Sequence, residues 1–169
     1  MNQDTLWIPA ALLGILYPGF TGYLFYSSRL LPERPAVHFS IRGNANGWMT
    51  RWAYLLLMFA LGTGLSLFQV VMSLMGKPGQ AGFHVPHAEY WLAPDRMHQT
   101  STYLIGHSLW LACLALGFFA GLHFMIIRAN QKVPPRLSLL FVLLVAGAFA
   151  AGVLLWERQL DWHFRNYAP

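Results

Sequence analysis

Four stretches of this chain contain no Asp, Glu, Lys or Arg: residues 5–28, 52–76, 97–127 and 137–156. A bilayer core about 30 Å thick needs roughly 20 helical residues to cross it, and each stretch meets that length. Composition supports the same reading. Hydrophobic residues make up 56% of the chain and charged ones 10%, where a soluble domain carries about 25% charged residues. A soluble enzyme would lack the polar side chains to cover its surface, and a disordered chain would not be this apolar. The pattern specifies an all-α integral membrane protein: a four-transmembrane-helix bundle in one domain over residues 1–169. The spans are expected near 6–27, 52–76, 100–127 and 137–157, with a short extended, hairpin-like first loop over 29–51.

The first span reads as a retained helix rather than a signal peptide, because no Lys or Arg precedes it and the apolar run exceeds a signal's core. Pro18-Gly19 within it is expected to kink the helix, since proline removes a backbone donor. The chain carries 11 basic and 6 acidic residues, a net charge of +5. Nucleic acid is not the implied partner, because the charges sit between spans. Arg29, Arg34, Arg42 and Arg51 lie in the first loop and Arg128, Lys132 and Arg136 in the third, with Glu33 alone opposing them. Excess Lys and Arg mark the cytoplasmic side. This places the first and third loops in the cytoplasm and both termini outside.

Small residues four apart, Ala60/Gly64, Gly117/Gly121, Gly147/Ala151 and Ala148/Gly152, are expected to let helix backbones approach closely. Trp7, Tyr26, Trp52, Trp91, Trp156 and Trp162 fall near the span ends, where aromatic rings anchor at the interface. Pro94 and Asp95 suit the start of a helix over residues 93–99. Cys113 is the single cysteine, so no disulfide framework is possible within the chain.

The first loop is the most structured segment outside the spans. Pro32 and Pro35 set an extended entry. Val37, Phe39 and Ile41 then alternate with His38, Ser40 and Arg42, which is strand period. Gly43-Asn44-Ala45-Asn46-Gly47 follows, rich in residues that tolerate positive φ, and reads as a tight turn. Trp48 and Met49 return the chain to the second span.

Leu31-Pro32-Glu33-Arg34-Pro35-Ala36-Val37-His38-Phe39, then Gly43 and Asn46-Gly47-Trp48, resembles the signature of domain of unknown function 1648. That domain is found at the N-terminus of Sdp-type toxin-immunity membrane proteins, between the first two spans. Glu89-Tyr90-Trp91-Leu92-Ala93-Pro94-Asp95-Arg96 and Arg128-Ala129-Asn130 before Pro134-Pro135 resemble a subgroup of short four-span relatives. The resemblance implies an inner-membrane protein without known enzymatic activity. It does not imply toxin immunity, since the immunity proteins carry additional helices.

The resemblance and the charges together single out Glu33, His38, Arg42, Asn46, Trp48 and His123 as a ligand or partner site, made by the first loop over the helix ends. The alternative is that His38 only fixes the loop through backbone hydrogen bonds. Gln69 and His107 fall at similar depth in antiparallel spans, which suggests an intramembrane hydrogen bond. His84, His87 and Glu89, with His98 nearby, offer a weak set of metal ligands. No cofactor is expected. His107 and His123 lie about 24 Å apart along a helix, at about 1.5 Å per residue, too far to share one iron. No nucleotide fingerprint, phosphate loop or nucleophile–base pattern is present.

The sequence therefore favours a non-enzymatic accessory, sensing or immunity-type binding protein. A small oligomeric transport component and a structural subunit of a membrane enzyme complex are the alternatives. The bilayer is the certain environment, with a protein partner or a second copy as further candidates. Reporter fusions test the orientation. Alkaline phosphatase joined after residue 166 should be active and green fluorescent protein there dark; the reverse result would invert the topology.

Overall fold

The computed structural model describes residues 4–75 and 86–166. Among the described residues four helices are long and apolar enough to cross a membrane, and the one sheet has two strands. Helix α1 (Asp4–Ser27) runs on through Pro9 and Pro18 and ends in a 3-10 turn, Ser28–Leu30. Strands β1 (Ala36–Phe39) and β2 (Ala45–Trp48) follow. The second span is α2 (Arg51–Phe59), a π turn (Ala60–Gly64) and α3 (Leu65–Met75). A short helix α4 (Ala88–Trp91) precedes α5 (Met97–Asn130) and α6 (Leu139–Asn166). The result is a multi-pass membrane protein.

Helix α5 is the axis of the bundle: α1, the π turn, α3, α6 and β1 all pack on it. Its Leu109, Ala112, Cys113, Leu116 and Phe119 are buried, at the three- and four-residue spacing of one helix face. Leu13, Phe20 and Leu24 of α1 and Tyr54, Leu55 and Met58 of α2 complete this core. The Phe20 ring fills the space beside Gly62, where an added Cβ would stand 2.6 Å from Phe20 Cε1. Helix α6 packs more thinly, and Leu139, Leu140, Leu143, Leu144, Leu154 and Leu155 face outward. A helix apolar on its outer face suits lipid.

Several boundaries and contacts differ from the sequence reading. Close approach occurs at Gly62, at Gly121 against Val145 and at Gly152 against Leu114, whereas Gly64, Gly117 and Gly147 have nothing within 4 Å of an added Cβ. Four-residue spacing marks a possible contact ridge but not which side of the helix meets a neighbour. Helix α6 continues beyond Trp156 to Asn166, because Glu157 to Arg165 is still helical sequence and Arg165 Nε bonds Asp161 Oδ1 one turn away at 2.8 Å. Helix α5 starts at Met97 with Arg96 as its cap, so Pro94 and Asp95 lie in the preceding turn. Trp91 is no interface anchor. It is buried, and its Nε1 donates to the Phe164 carbonyl at 2.9 Å.

The first loop is a hairpin. Ala36 stands opposite Trp48, His38 opposite Gly47 and Phe39 opposite Ala45, with irregular register between them. Asn46, Gly47 and Trp48 therefore belong to a strand, and the turn is confined to Ser40–Asn44, closed by Ser40 N donating to Asn44 O at 2.8 Å. Gly43 has φ +80, the left-handed region that glycine enters without strain. Its carbonyl accepts from Leu137 N at 2.8 Å, so the hairpin turn is fastened to the α5–α6 loop. A Cβ at Gly43 would collide with the Leu137 carbonyl oxygen. Gly43→Ala should therefore detach this contact and lower stability by about 1–3 kcal/mol, the cost of strained φ plus a lost bond. Thermal melting of the variant in detergent checks this; an unchanged midpoint would show that the docking is dispensable.

Candidate functional site

The hairpin stands at the end of the bundle where α1 ends, α2 begins and α5 ends, and three sets of hydrogen bonds hold it there. Arg51 N donates to Glu33 O at 2.8 Å and Met49 N to Pro35 O at 3.3 Å, zipping the stem. Arg51 Nη1 donates to Leu31 O at 3.2 Å. Asn130, in the last turn of α5, meets Ala36 reciprocally. Ala36 N donates to Asn130 Oδ1 at 2.8 Å, and Asn130 Nδ2 donates to Ala36 O at 2.9 Å. A carboxamide thus satisfies both backbone groups of one strand residue, as a neighbouring strand would.

Beneath the hairpin lies a buried polar chain. Tyr54 O–H is 2.8 Å from His123 Nδ1, and His123 Nε2 is 2.9 Å from Ser27 Oγ. Ser27 Oγ itself donates to Tyr23 O. That assignment leaves Ser27 Oγ as acceptor from His123 Nε2–H, and His123 Nδ1 as acceptor from Tyr54. Protons then point one way, from Tyr54 through His123 and Ser27 to a carbonyl. His123 has 0% exposure, and Tyr23 lies edge-on to its ring while Tyr54 stacks on it. The arrangement does not activate Ser27 as a nucleophile, because the imidazole presents a proton to it and not a lone pair. Its effect is mechanical: it ties α1, α2 and α5 together at one depth.

The structure divides the residues singled out from the sequence. Glu33, His38, Arg42, Asn46 and Trp48 are exposed on the hairpin and its stem. His123 does not join them, since both its ring nitrogens are engaged with Ser27 and Tyr54. Sequence depth placed His123 at the correct end, but its rotation about α5 turns it inward. The expected Gln69–His107 bond is also replaced. Gln69 Nε2 donates to Ser108 O at 3.2 Å. His107 Nε2 donates to Trp156 O at 2.8 Å, while Trp156 Nε1 donates back to His107 O at 2.8 Å. Of the weak metal set, His84 lies outside the described residues. His87, Glu89 and His98 are exposed, and among the described residues no three His, Cys, Asp or Glu come together to hold an ion.

Sequence reasoning missed Ser27, Tyr54 and Asn130 as partners. Asn130 was visible in the Arg128-Ala129-Asn130 match, but a lone asparagine at a helix end gives no sign of a strand across from it. It also missed a second aromatic cluster at the opposite end. There Tyr103 stacks on His163 with ring centroids 3.6 Å apart, next to His107 and Trp156 at 4.6 Å and Trp91 with Phe164 at 5.3 Å.

Removing the imidazole at position 123 leaves Tyr54 and Ser27 buried without that partner. His123→Leu should cost about 1–3 kcal/mol, and Tyr54→Phe less, since it removes one bond and leaves shape intact. Detergent melting of both variants and of the pair measures this, with non-additive losses expected of groups that share one hydrogen-bond chain. Purely additive losses would show that the chain does not act as a unit.

No curated protein and no solved structure matches this chain. One family does: residues 6–63 match a domain of unknown function (DUF1648). The matched segment spans α1 from Leu6, the whole hairpin, α2 and the π turn up to Thr63. The N-terminal part of this protein, from the first transmembrane helix to the middle of the second, is therefore a DUF1648 domain.

Proposed function

We propose that this is a non-enzymatic protein of the bacterial inner membrane that binds a protein partner through its first-loop hairpin. The role would be accessory, sensing or immunity-type. The observation that carries this reading is a main chain firmly held beneath exposed side chains. Asn130, Leu137 and Arg51 bond the backbone of the loop and its stem, while His38, Asn46 and Trp48 stay exposed, Trp48 by 51%. A short hairpin alone is marginally stable, so its anchoring represents a cost met by the rest of the bundle. Exposed tryptophan beside hydrogen-bonding side chains on a rigid support is the composition of an interaction hot spot. The matched domain centres on this same segment. With the first and third loops in the cytoplasm, as the charge distribution favours, the partner is cytoplasmic or presents a cytoplasmic face.

A photoreactive residue placed at position 46 in living cells tests the reading. The expected result is a single adduct of fixed mass that His38→Ala and Trp48→Ala abolish without reducing membrane abundance. An adduct at twice the chain's own mass would assign the hairpin to self-association. Lipid adducts alone, or adducts indifferent to both substitutions, would remove the hairpin as a recognition surface.

A further inference from the structure

The two loops at the hairpin end are one surface. Leu137 N is bonded to Gly43 O, Asn44 pairs with Arg136 as an isolated bridge, and Asn130 joins β1 to the end of α5. This surface collects Arg34, Arg42, Arg128, Lys132 and Arg136, all exposed. Among the described residues none of these five has an ion-pair or side-chain hydrogen-bond partner. Both ion pairs of the described residues, Arg96–Asp95 and Arg165–Asp161, lie at the opposite end. Glu33 is the one acid between the ends of α1 and α6 on this side. Two apolar side chains stand out of the basic surface beside Arg42 and Lys132: Ile41, exposed by 91%, and Val133, exposed by 99%.

We propose that these fused loops bind the anionic phospholipid headgroups of the protein's own membrane. Unpaired guanidinium groups suit phosphate, which they bond in a forked geometry. Exposed Tyr26 and Trp52, at the end of α1 and the start of α2, mark the headgroup level beside the surface. Arg29 already lies over the Tyr26 ring, 3.5 Å from its centroid. Basic residues interleaved with isolated aliphatic ones are the composition that holds a segment on an anionic interface. An acidic protein would find the same charges, but Ile41 and Val133 give it no complement, whereas a lipid surface takes them in. This site is separate from the exposed His38, Asn46 and Trp48 and stands whether or not they bind a partner.

The native chain reconstituted in phosphatidylcholine bilayers provides the test. Spin-labelled phosphatidylglycerol should associate several-fold more strongly than spin-labelled phosphatidylcholine, and the ratio should fall towards one as salt is raised. Each basic residue near an anionic surface contributes about fivefold at the level of roughly 1 kcal/mol. The triple variant Arg42→Gln, Lys132→Gln, Arg136→Gln should therefore lose most of the preference, while Arg158→Gln at the other end keeps it. If the triple variant does not assemble, Arg34→Gln with Arg128→Gln is read the same way. A ratio of one for the native chain, a ratio insensitive to salt, or equal loss in Arg158→Gln would each overturn the proposal. So would binding of poly-glutamate by the solubilised chain without lipid preference, which would assign the surface to an acidic protein.

Discussion

Polar groups inside a bilayer must find their hydrogen bonds within the protein, and in this chain the bonds that join one helix to another centre on α5. Ser66 Oγ reaches the Ala112 carbonyl and Gln69 the Ser108 carbonyl. His107 exchanges bonds with Trp156 of α6, and His123 collects Tyr54 and Ser27 from α2 and α1. Hydrophobic burial does not drive helices together in lipid, so these bonds and close packing at small residues carry the assembly. The polar contacts also fix heights. Each one sets two helices at a common depth, and the hairpin inherits its position from the set nearest to it.

That dependence bears on how the matched domain should be understood. Residues 6–63 contain both strands and both flanking helices, yet the groups that hold the hairpin lie largely beyond them. Asn130 and Leu137 are outside the match, and so is His123, which ties its two helices together. The domain is a sequence unit whose shape depends on the later helices. A different second half would have to supply an equivalent of the Asn130 carboxamide to hold the strand in the same place.

The spans, their number and the extended first loop were legible because charge-free length and strand alternation are properties of the sequence itself. What was not legible is rotation. Adjacent residues of a helix point about 100° apart, so depth alone did not show that the His107 ring turns to Trp156 and leaves Gln69 a backbone carbonyl, that of Ser108. The same limit hid His123, which the sequence placed under the loop and the structure turns inward. The turn at Gly43 to Gly47 was read too long because asparagine and glycine favour turns locally. Pairing with β1 and the anchor at Ala36 override that preference for Asn46 and Gly47. The helix beyond Trp156 was missed because the absence of charge locates the apolar part of a span, not the end of the helix.

The π turn at Ala60–Gly64 sits in the middle of the second span, between the core face of α2 and the polar face of α3. Above it Tyr54, Leu55 and Met58 are buried; below it Ser66 and Gln69 point at α5. A π turn holds one residue more than the α-helix it interrupts, so it acts as a phase shifter between two halves that each need to face the same axis. The span's interior pattern consequently belongs to two different helical frames. Its lower half would rotate by about 100° towards lipid if the extra residue were taken out, with every side chain unchanged.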